Sequence, residues 1–341
     1  MSKLRSAPTL DDVARMAGVS TATVSRCLNN PDRVVDATRE RVLSAVDTLG
    51  YTPNFAARVM AAKRTSTIGA IIPTMENAIF ARGLQAFQEE LHKHGYTLLV
   101  SSSAYKPEIE EEQIRTLVAR GADGLLLIGH DRDRKIHDDL ERRKIPVLVA
   151  WSFLPDARVP SVGFDNRAAM FELAHRVIEL GHRRIGVISG VSAGNDRARH
   201  RIEGIQDAAR QNGLLSSDVM MLETPYEIEN GAEAFSKLMS QDAPPTAILC
   251  GNDVLAVGAL HRAREMGLRV PDDVSITGFD DIELARIATP ALTTVHVPHR
   301  EMGRRAALEL VGMLENQTQG TGTRLATHIV ERQSLGPPAK A

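Results

Sequence analysis

Cysteine is nearly absent. Cys27 and Cys250 are the only two in 341 residues. They lie far apart, so no disulfide framework is indicated and a reducing compartment fits. No run of 18 apolar residues occurs, so no membrane-spanning helix is expected. The opening MSKLRSAPTLDD has neither an apolar core nor a small-residue cleavage site, which points to a cytoplasmic protein rather than an exported one. Catalytic signatures are missing as well. There is no G-x-x-x-x-G-K-[ST], no G-x-G-x-x-G after a strand, no paired-cysteine motif, no H-E-x-x-H and no G-x-S-x-G. The close pairs His92/His94 and His296/His299 have no convincing third ligand nearby. No catalytic residue, cofactor or metal is therefore expected.

Charge is present in both signs but unevenly spread. The net charge is −2, yet residues 1–65 hold ten Lys/Arg against six Asp/Glu, and the remaining 276 hold 31 against 37. A basic head on an acidic body suggests that the head alone meets a polyanion.

The head reads as helices. Thr9 with Asp12 three residues on is close to a capping box, and Leu10, Val13, Ala14 and Ala17 follow a helical stripe. Gly18 can end that helix in a left-handed conformation, and Ser20 can cap a second from Thr21 to about Leu28. A third runs from near Asp36 to Leu49, with Val42, Leu43 and Val46 inward. Helix, glycine turn, helix and supporting helix is the helix-turn-helix arrangement, whose second helix enters a major groove about 12 Å wide. That helix carries short polar residues and one arginine along a face: Thr21, Ala22, Ser25, Arg26 and Asn29. After it, Pro53 and Asn54 start a short alanine-rich helix reaching about Ala62. So brief a helix is marginal alone and needs DNA or a second copy to support it.

From Ile68 onward the chain alternates short apolar runs with helical stretches. IGAIIP, TLLVSS, GLLLIG, PVLVAW, RIGVISG, TAILCG and VSITGF read as strands buried on both faces, hence a parallel, doubly wound α/β fold. The pattern restarts near VPSVGFDN, so two similar lobes are expected rather than one large sheet. Ligands in such sheets sit outside the carboxyl ends of the strands. That rule selects Thr74, Asn77 and Phe80 after the first strand, Trp151 after PVLVA, Asp165 after SVGF, Asn252 after AILCG and Asp280 after VSITGF.

LDDVARMAGVSTATVSRCLNN, TRERV, LGYTPNFAA and IGAIIP closely resemble the LacI/GalR family of bacterial transcription regulators. The likeness continues through GHRRIGVISG, PTAILCGNDVLAVGAL, LRVPDDVSITGFDDIELA, PALTTVHVP and VERQS, nearly the whole chain. It implies a helix-turn-helix head over 1–64 with a hinge helix at 53–62, and an effector-binding and dimerisation domain over 65–341. The two lobes are then like those of a periplasmic sugar-binding protein. Lobe 1 spans about 66–162 and 295–322, and lobe 2 about 163–292 and 325–341.

The resemblance puts Thr21 and Ala22 at the operator-reading positions, followed by Arg26, with Ser20, Thr23, Ser25 and Asn29 suited to phosphate contact. Where relatives insert a hinge leucine into the minor groove, this chain has Met60. Arg201, Asp280 and Asn252 fall at effector-contacting positions, Trp151 at or beside one, and Tyr226 where an aromatic lid is common.

YKPEIEEEQ, VGFDN and ARGADGLLL look most like the gluconate-repressor branch, one of whose arginines Arg197 matches. Arginines near one cleft favour a carboxylate. The expected partners are thus inverted-repeat operator DNA, a sugar acid (or a neutral sugar or sugar phosphate) and a second copy of the chain, as dimer or tetramer. Whether the effector induces or corepresses is left open.

Overall fold

The computed structural model describes residues 8–29, 31–52, 64–76 and 78–339. The expected hinge helix at 53–62, with Asn54 and Met60, lies outside the described residues, as do Asn77 and the side chain of Asn29. The chain divides into two compact units, Met1–Thr65 and Ser66–Ala341.

The first unit contains α1 (Leu10–Ala17), α2 (Thr21–Asn29) and α3 (Asp36–Leu49). Thr9 and Asp12 form a reciprocal capping box: Asp12 N–H donates to Thr9 Oγ1 at 3.3 Å, and Thr9 N–H donates to Asp12 Oδ2 at 2.9 Å. These bonds from Thr9 hold the Asp12 carboxyl below its usual range. Gly18 ends α1 at φ 63°, and nothing stands near the place of its missing Cβ. The glycine is there for its left-handed backbone rather than for space. Val13, Ala14, Ala17, Val24, Cys27, Val42, Ala45 and Tyr51 form the core of this unit. Leu43, expected inward, is exposed. The inward stripe of α3 passes through Val42, Ala45, Val46 and Leu49, and one residue along a helix is about 100° off that line.

The second unit has two parallel sheets flanked by helices. The six-stranded sheet runs β11-β5-β4-β3-β1-β2, with β1 Thr67–Ile72, β2 Thr97–Ser102, β3 Gly124–Ile128, β4 Val147–Ala150, β5 Ser161–Gly163 and β11 Thr323–Arg324. The four-stranded sheet runs β7-β6-β8-β9, with β6 Ile185–Gly190, β7 Val219–Thr224, β8 Ala247–Cys250 and β9 Ser275–Thr277. A two-stranded antiparallel ribbon pairs β10 (Thr294–His296) with β12 (His328–Val330).

The helices α4 (Ala78–Lys93), α5 (Pro107–Ala119), α6 (Arg134–Arg142), α7 (Asn166–Glu179), α8 (Asp196–Gln211), α9 (Ile228–Met239), α10 (Asp253–Glu265), α11 (Glu283–Ile287) and α12 (His299–Asn316) complete it. Strands β1, β3, β4, β6 and β8 are buried throughout, as their apolar runs require.

TLLVSS is the exception. As β2 it is an edge strand, bonded only to β1, and Leu99 and Val100 stay exposed. Helices α4 and α12 approach so closely at Gly83 and Gly303 that a Cβ on Gly303 would strike the Gly83 backbone. Among the described residues no helix is long and apolar enough to cross a membrane.

Candidate functional site

Two surfaces are equipped to bind something, one in each unit. In the first, Ser20 opens α2: its Oγ accepts from Thr23 N–H at 3.2 Å and is bonded to Thr23 Oγ1 at 2.9 Å. Val24 and Cys27 anchor α2 from below. Ala22 and Arg26, four residues apart on the other side, are exposed, while Thr21, Thr23 and Ser25 are half-buried at its flank. Arg26 has no ion pair among the described residues. A guanidinium left uncommitted on a projecting helix can make paired bonds to a base edge or a phosphate.

The second surface is a cleft in the two-lobed unit. Its innermost wall contains Phe80, Tyr105, Trp151, Asn195, Arg197, Arg201, Tyr226, Asn252 and Asp280. The cleft therefore gathers six sequence-derived candidates that follow five strands, Arg197 and Arg201 both lying on α8, and one, Phe80, from α4. Asp280 is 1% exposed, yet neither carboxylate oxygen has a hydrogen-bond partner among the described residues. Arg201 Nη2 is 3.9 Å from Oδ1. Burial pushes the Asp280 carboxyl up to about 7, against the pull of Arg201. Its backbone takes φ 107°, a sterically unfavoured conformation for an aspartate. Asn252 caps α10 by accepting from Leu255 N–H at 2.9 Å, and its Nδ2 is buried without a partner among the described residues. Buried polar atoms left unpaired carry a free-energy cost that a ligand relieves.

Each cleft arginine is held and matched. Arg201 donates from Nε to Asn166 Oδ1 at 2.8 Å and from Nη1 to the Gly251 carbonyl at 2.6 Å, and its guanidinium sits 3.8 Å above the centre of the Phe279 ring. Arg197 donates to Asp196 Oδ1 at 2.9 Å and to the Ile128 carbonyl at 3.0 Å. Arg199, between them, points away and pairs with Asp131. Two cations thus face two carboxylates, Asp196 and Asp280.

Residues that sequence reasoning missed form a hydrogen-bonded chain from Arg201 to Asp280. Asn166 Nδ2 donates to the Trp151 carbonyl at 3.0 Å, and Trp151 Nε1 donates to His299 Nδ1 at 3.3 Å. Because indole can only donate, His299 Nδ1 must accept; the proton is then on Nε2, which donates to the Asp280 carbonyl at 3.2 Å. This hydrogen-bonded chain joins strand ends of both sheets to the first turn of α12. Nothing in the local sequence marked Asn166 or His299, whose partners are 15 to 148 positions away. Tyr105 and Asn195 were missed in the same way.

Burial lowers the His299 pKa to about 4. A histidine shifted down contributes stability that is lost as pH falls through its folded pKa. Trp151 is the only tryptophan and is 2% exposed, so it reports on this joint directly. Its emission is expected to change as pH approaches 4, when Nδ1 gains a proton, in a step separate from that of Asp280 near pH 7. A fluorescence titration checks this, and His299→Leu should remove the lower step while far-ultraviolet circular dichroism stays native.

Two candidates lie apart from the innermost wall. Thr74 is at the cleft mouth, its Oγ1 accepting from Glu76 N–H at 3.1 Å. Asp165 is not brought into the cleft. It caps α7 through Ala168 N–H at 2.9 Å, lies 3.5 Å from Arg324 and lines a separate depression.

Comparison with known proteins agrees with this two-part anatomy. Residues 9–54 match the family described as bacterial regulatory proteins, lacI family, and residues 174–335 match the periplasmic binding protein-like domain. The chain is 36% identical to the HTH-type transcriptional repressor CytR of Escherichia coli K12, over 95% of this chain and 94% of that one. Its structure is similar to that of the Lac repressor dimer bound to operator and the anti-inducer ONPF (TM-score 0.84, 27% identity, 96% of this chain and 98% of that one). It is also similar to the complex of the transcriptional regulator CelR with cellobiose (TM-score 0.70, 29% identity, 96% and 99%).

Proposed function

The chain belongs to the lacI family of bacterial regulatory proteins, and on that premise we propose that it represses transcription as a dimer whose grip on DNA is set by a small hydroxylated effector in the cleft. The exposed face of α2, with Ala22 and Arg26 at its centre and Ser20, Thr21, Thr23 and Ser25 around them, reads the major groove. Two copies present two such helices about 34 Å apart, so the operator is an inverted repeat. On this reading the protein is a regulator rather than an enzyme and works in the cytoplasm, alongside its DNA.

The observation that carries the effector reading is Asp280: a fully buried carboxylate with both oxygens unbonded, beside the unbonded Nδ2 of Asn252. Acceptors and a donor held in this way suit the hydroxyl groups of a carbohydrate. With Asp280 ionised, the charge count favours a neutral one over a sugar acid, since Arg197 and Arg201 already face Asp196 and Asp280. Arg201, Asn252 and Asp280 bind its hydroxyls, and Phe80 and Trp151 cover its apolar face.

The test is a duplex selected from a random pool by the purified protein, followed by titration of neutral sugars and sugar acids into the complex. The expected outcome is an inverted repeat whose affinity falls steeply with salt, since each phosphate neutralised releases a counterion. A neutral sugar should shift that affinity, and DNA must then shift sugar affinity by the same factor. Release identifies an inducer and tightening a corepressor. Binding of random duplex as strong as binding of the selected one would refute the reading.

A further inference from the structure

Two hydrogen bonds and an ion pair cross between the lobes at one place, where the loop after β3 meets the first turn of α8. His130 N–H donates to Asp196 Oδ2 at 2.8 Å, and Arg197 Nη1 donates to the Ile128 carbonyl at 3.0 Å. Outside them Arg199 grips Asp131 with paired bonds, Nη1 to Oδ2 at 2.7 Å and Nη2 to Oδ1 at 2.9 Å. The two sides belong to different sheets: β3 is in the six-stranded one, and α8 follows β6 of the four-stranded one. The fit is close. A Cβ on Gly129, whose φ is 72°, would strike both Arg197 Nη1 and Asp196 Oδ1. Arg132 holds the loop from within its own lobe. Its side chain is 1% exposed and donates to the carbonyls of Ile128 and Gly129 and to Glu110. Such a loop is a preformed socket for the start of α8.

The socket is filled while the cleft is shut. The innermost wall encloses only about 20 Å³ of free space, room for about one water. A sugar ring is far larger, so one that reaches Asp280 and Asn252 must part the lobes and break these contacts. Resting on the effector reading above, we propose that the β3 loop and the start of α8 form a latch that holds the effector-free cleft closed, and that an effector alters DNA binding by opening it. Asp131 and Arg199 lie outside the cleft wall and its mouth, so they can be changed without touching the groups that hold a ligand. Their side chains are 31% and 41% exposed, and an ion pair so wet contributes little alone. A latch has only to bias an equilibrium. A ligand that needs the open form binds less tightly in proportion to the fraction open, so even a weak latch sets the effector concentration to which the protein responds.

The experiment is hydrogen exchange of the full-length protein without any sugar, read by mass spectrometry over residues 128–132. The His130 amide there donates across the latch, and β6, buried throughout, is the internal control. Asp131→Arg and Arg199→Asp each set like charges against one another. Each is expected to speed exchange over 128–132 by about 3- to 10-fold and to leave β6 unchanged. The double variant carrying both restores an opposite pair, and its exchange should return to within about twofold of the parent. Arg199→Gln, which removes the bond without reversing a charge, should raise exchange in the same segment and serves if a reversed charge spoils the melting curve. On the duplex selected above, each single variant should shift affinity by about threefold or more with no sugar present, and the double variant should restore it. Unchanged exchange in the single variants, or equal exchange in single and double variants, would overturn the latch and leave the effector reading standing. Faster exchange with unchanged operator affinity would overturn its link to DNA binding. If the variants behave as expected while no sugar shifts operator affinity, the latch stands and the effector reading alone falls.

Discussion

Arg26→Ala is expected to weaken binding to the selected operator by about 30- to 25,000-fold, since a bidentate arginine–guanine pair is worth about 1–3 kcal/mol and a dimer loses two of them. The side chain is placed for that role by its neighbours. Val24 and Cys27 bury the opposite side of α2, Ser20 closes its first turn, and Arg26 projects with Ala22 from the exposed side. Removing it should leave the core of this unit untouched, so the melting temperature should not change. Arg26→Lys separates the two contacts open to a guanidinium. If Arg26 pairs with guanine, lysine keeps the charge, loses the fork, and preference at one operator position relaxes. If it pairs with a phosphate, lysine restores most of the affinity for every sequence. Fluorescence anisotropy with the selected duplex and single-base variants distinguishes these results. An alanine variant with unchanged affinity and unchanged base preference would remove Arg26 from the reading surface.

This face could be read in advance because everything that builds it is local. Thr9 with Asp12, Gly18 and Ser20 each act within four residues, and the short-range rules for caps apply without knowledge of the rest of the chain. The sheets were legible for a related reason: β1, β3, β4, β6 and β8 are buried on both sides and carry unbroken apolar runs. Edge strands broke that rule in both directions. β2 carries the apolar run LLV but lies at the edge, and β7, Val219–Thr224, is half-buried with two methionines in its run, so it did not stand out.

The cleft was legible only in part. The carboxyl-end rule found Trp151, Asn252 and Asp280, because a strand end is a local mark. The rule says nothing of which neighbour will satisfy them, and it also selected Asp165, whose carboxylate is used up in capping α7. His299 reaches the site from the start of a helix, and Asn166 from behind it. Tyr105 depends on two consecutive left-handed residues, neither of them glycine. Such contacts are set by how distant segments pack, and composition at the position does not announce them.

Asp280→Asn is expected to make the protein more stable and less able to respond. The aspartate's folded pKa is raised to about 7 from 3.8. Between those values the unfolded chain gives up the proton and the folded chain keeps it, so stability present at low pH is lost as pH rises to about 7 and then levels off. His299 and His130, both pushed down to about 4 by burial, act with the opposite sign and weaken the fold as pH falls below about 6.5. They are the same in both proteins and cancel in the comparison. What remains is the Asp280 contribution, about 3 kcal/mol across pH 5 to 8, or roughly 5–10 °C in melting temperature for a unit of this size. Asparagine fits the same space, needs no ionised state, and leaves Arg201 its bonds to Asn166 and Gly251. The melting temperatures of the two proteins should therefore be close at pH 5 and diverge at pH 8, with the variant higher. Effector affinity should fall by about 100-fold, because an ionised acceptor for hydroxyl groups has become a neutral amide. If the variant melts no higher than the parent at pH 8, Asp280 finds a partner in solution, and the unbonded carboxylate on which the effector reading rests would be lost.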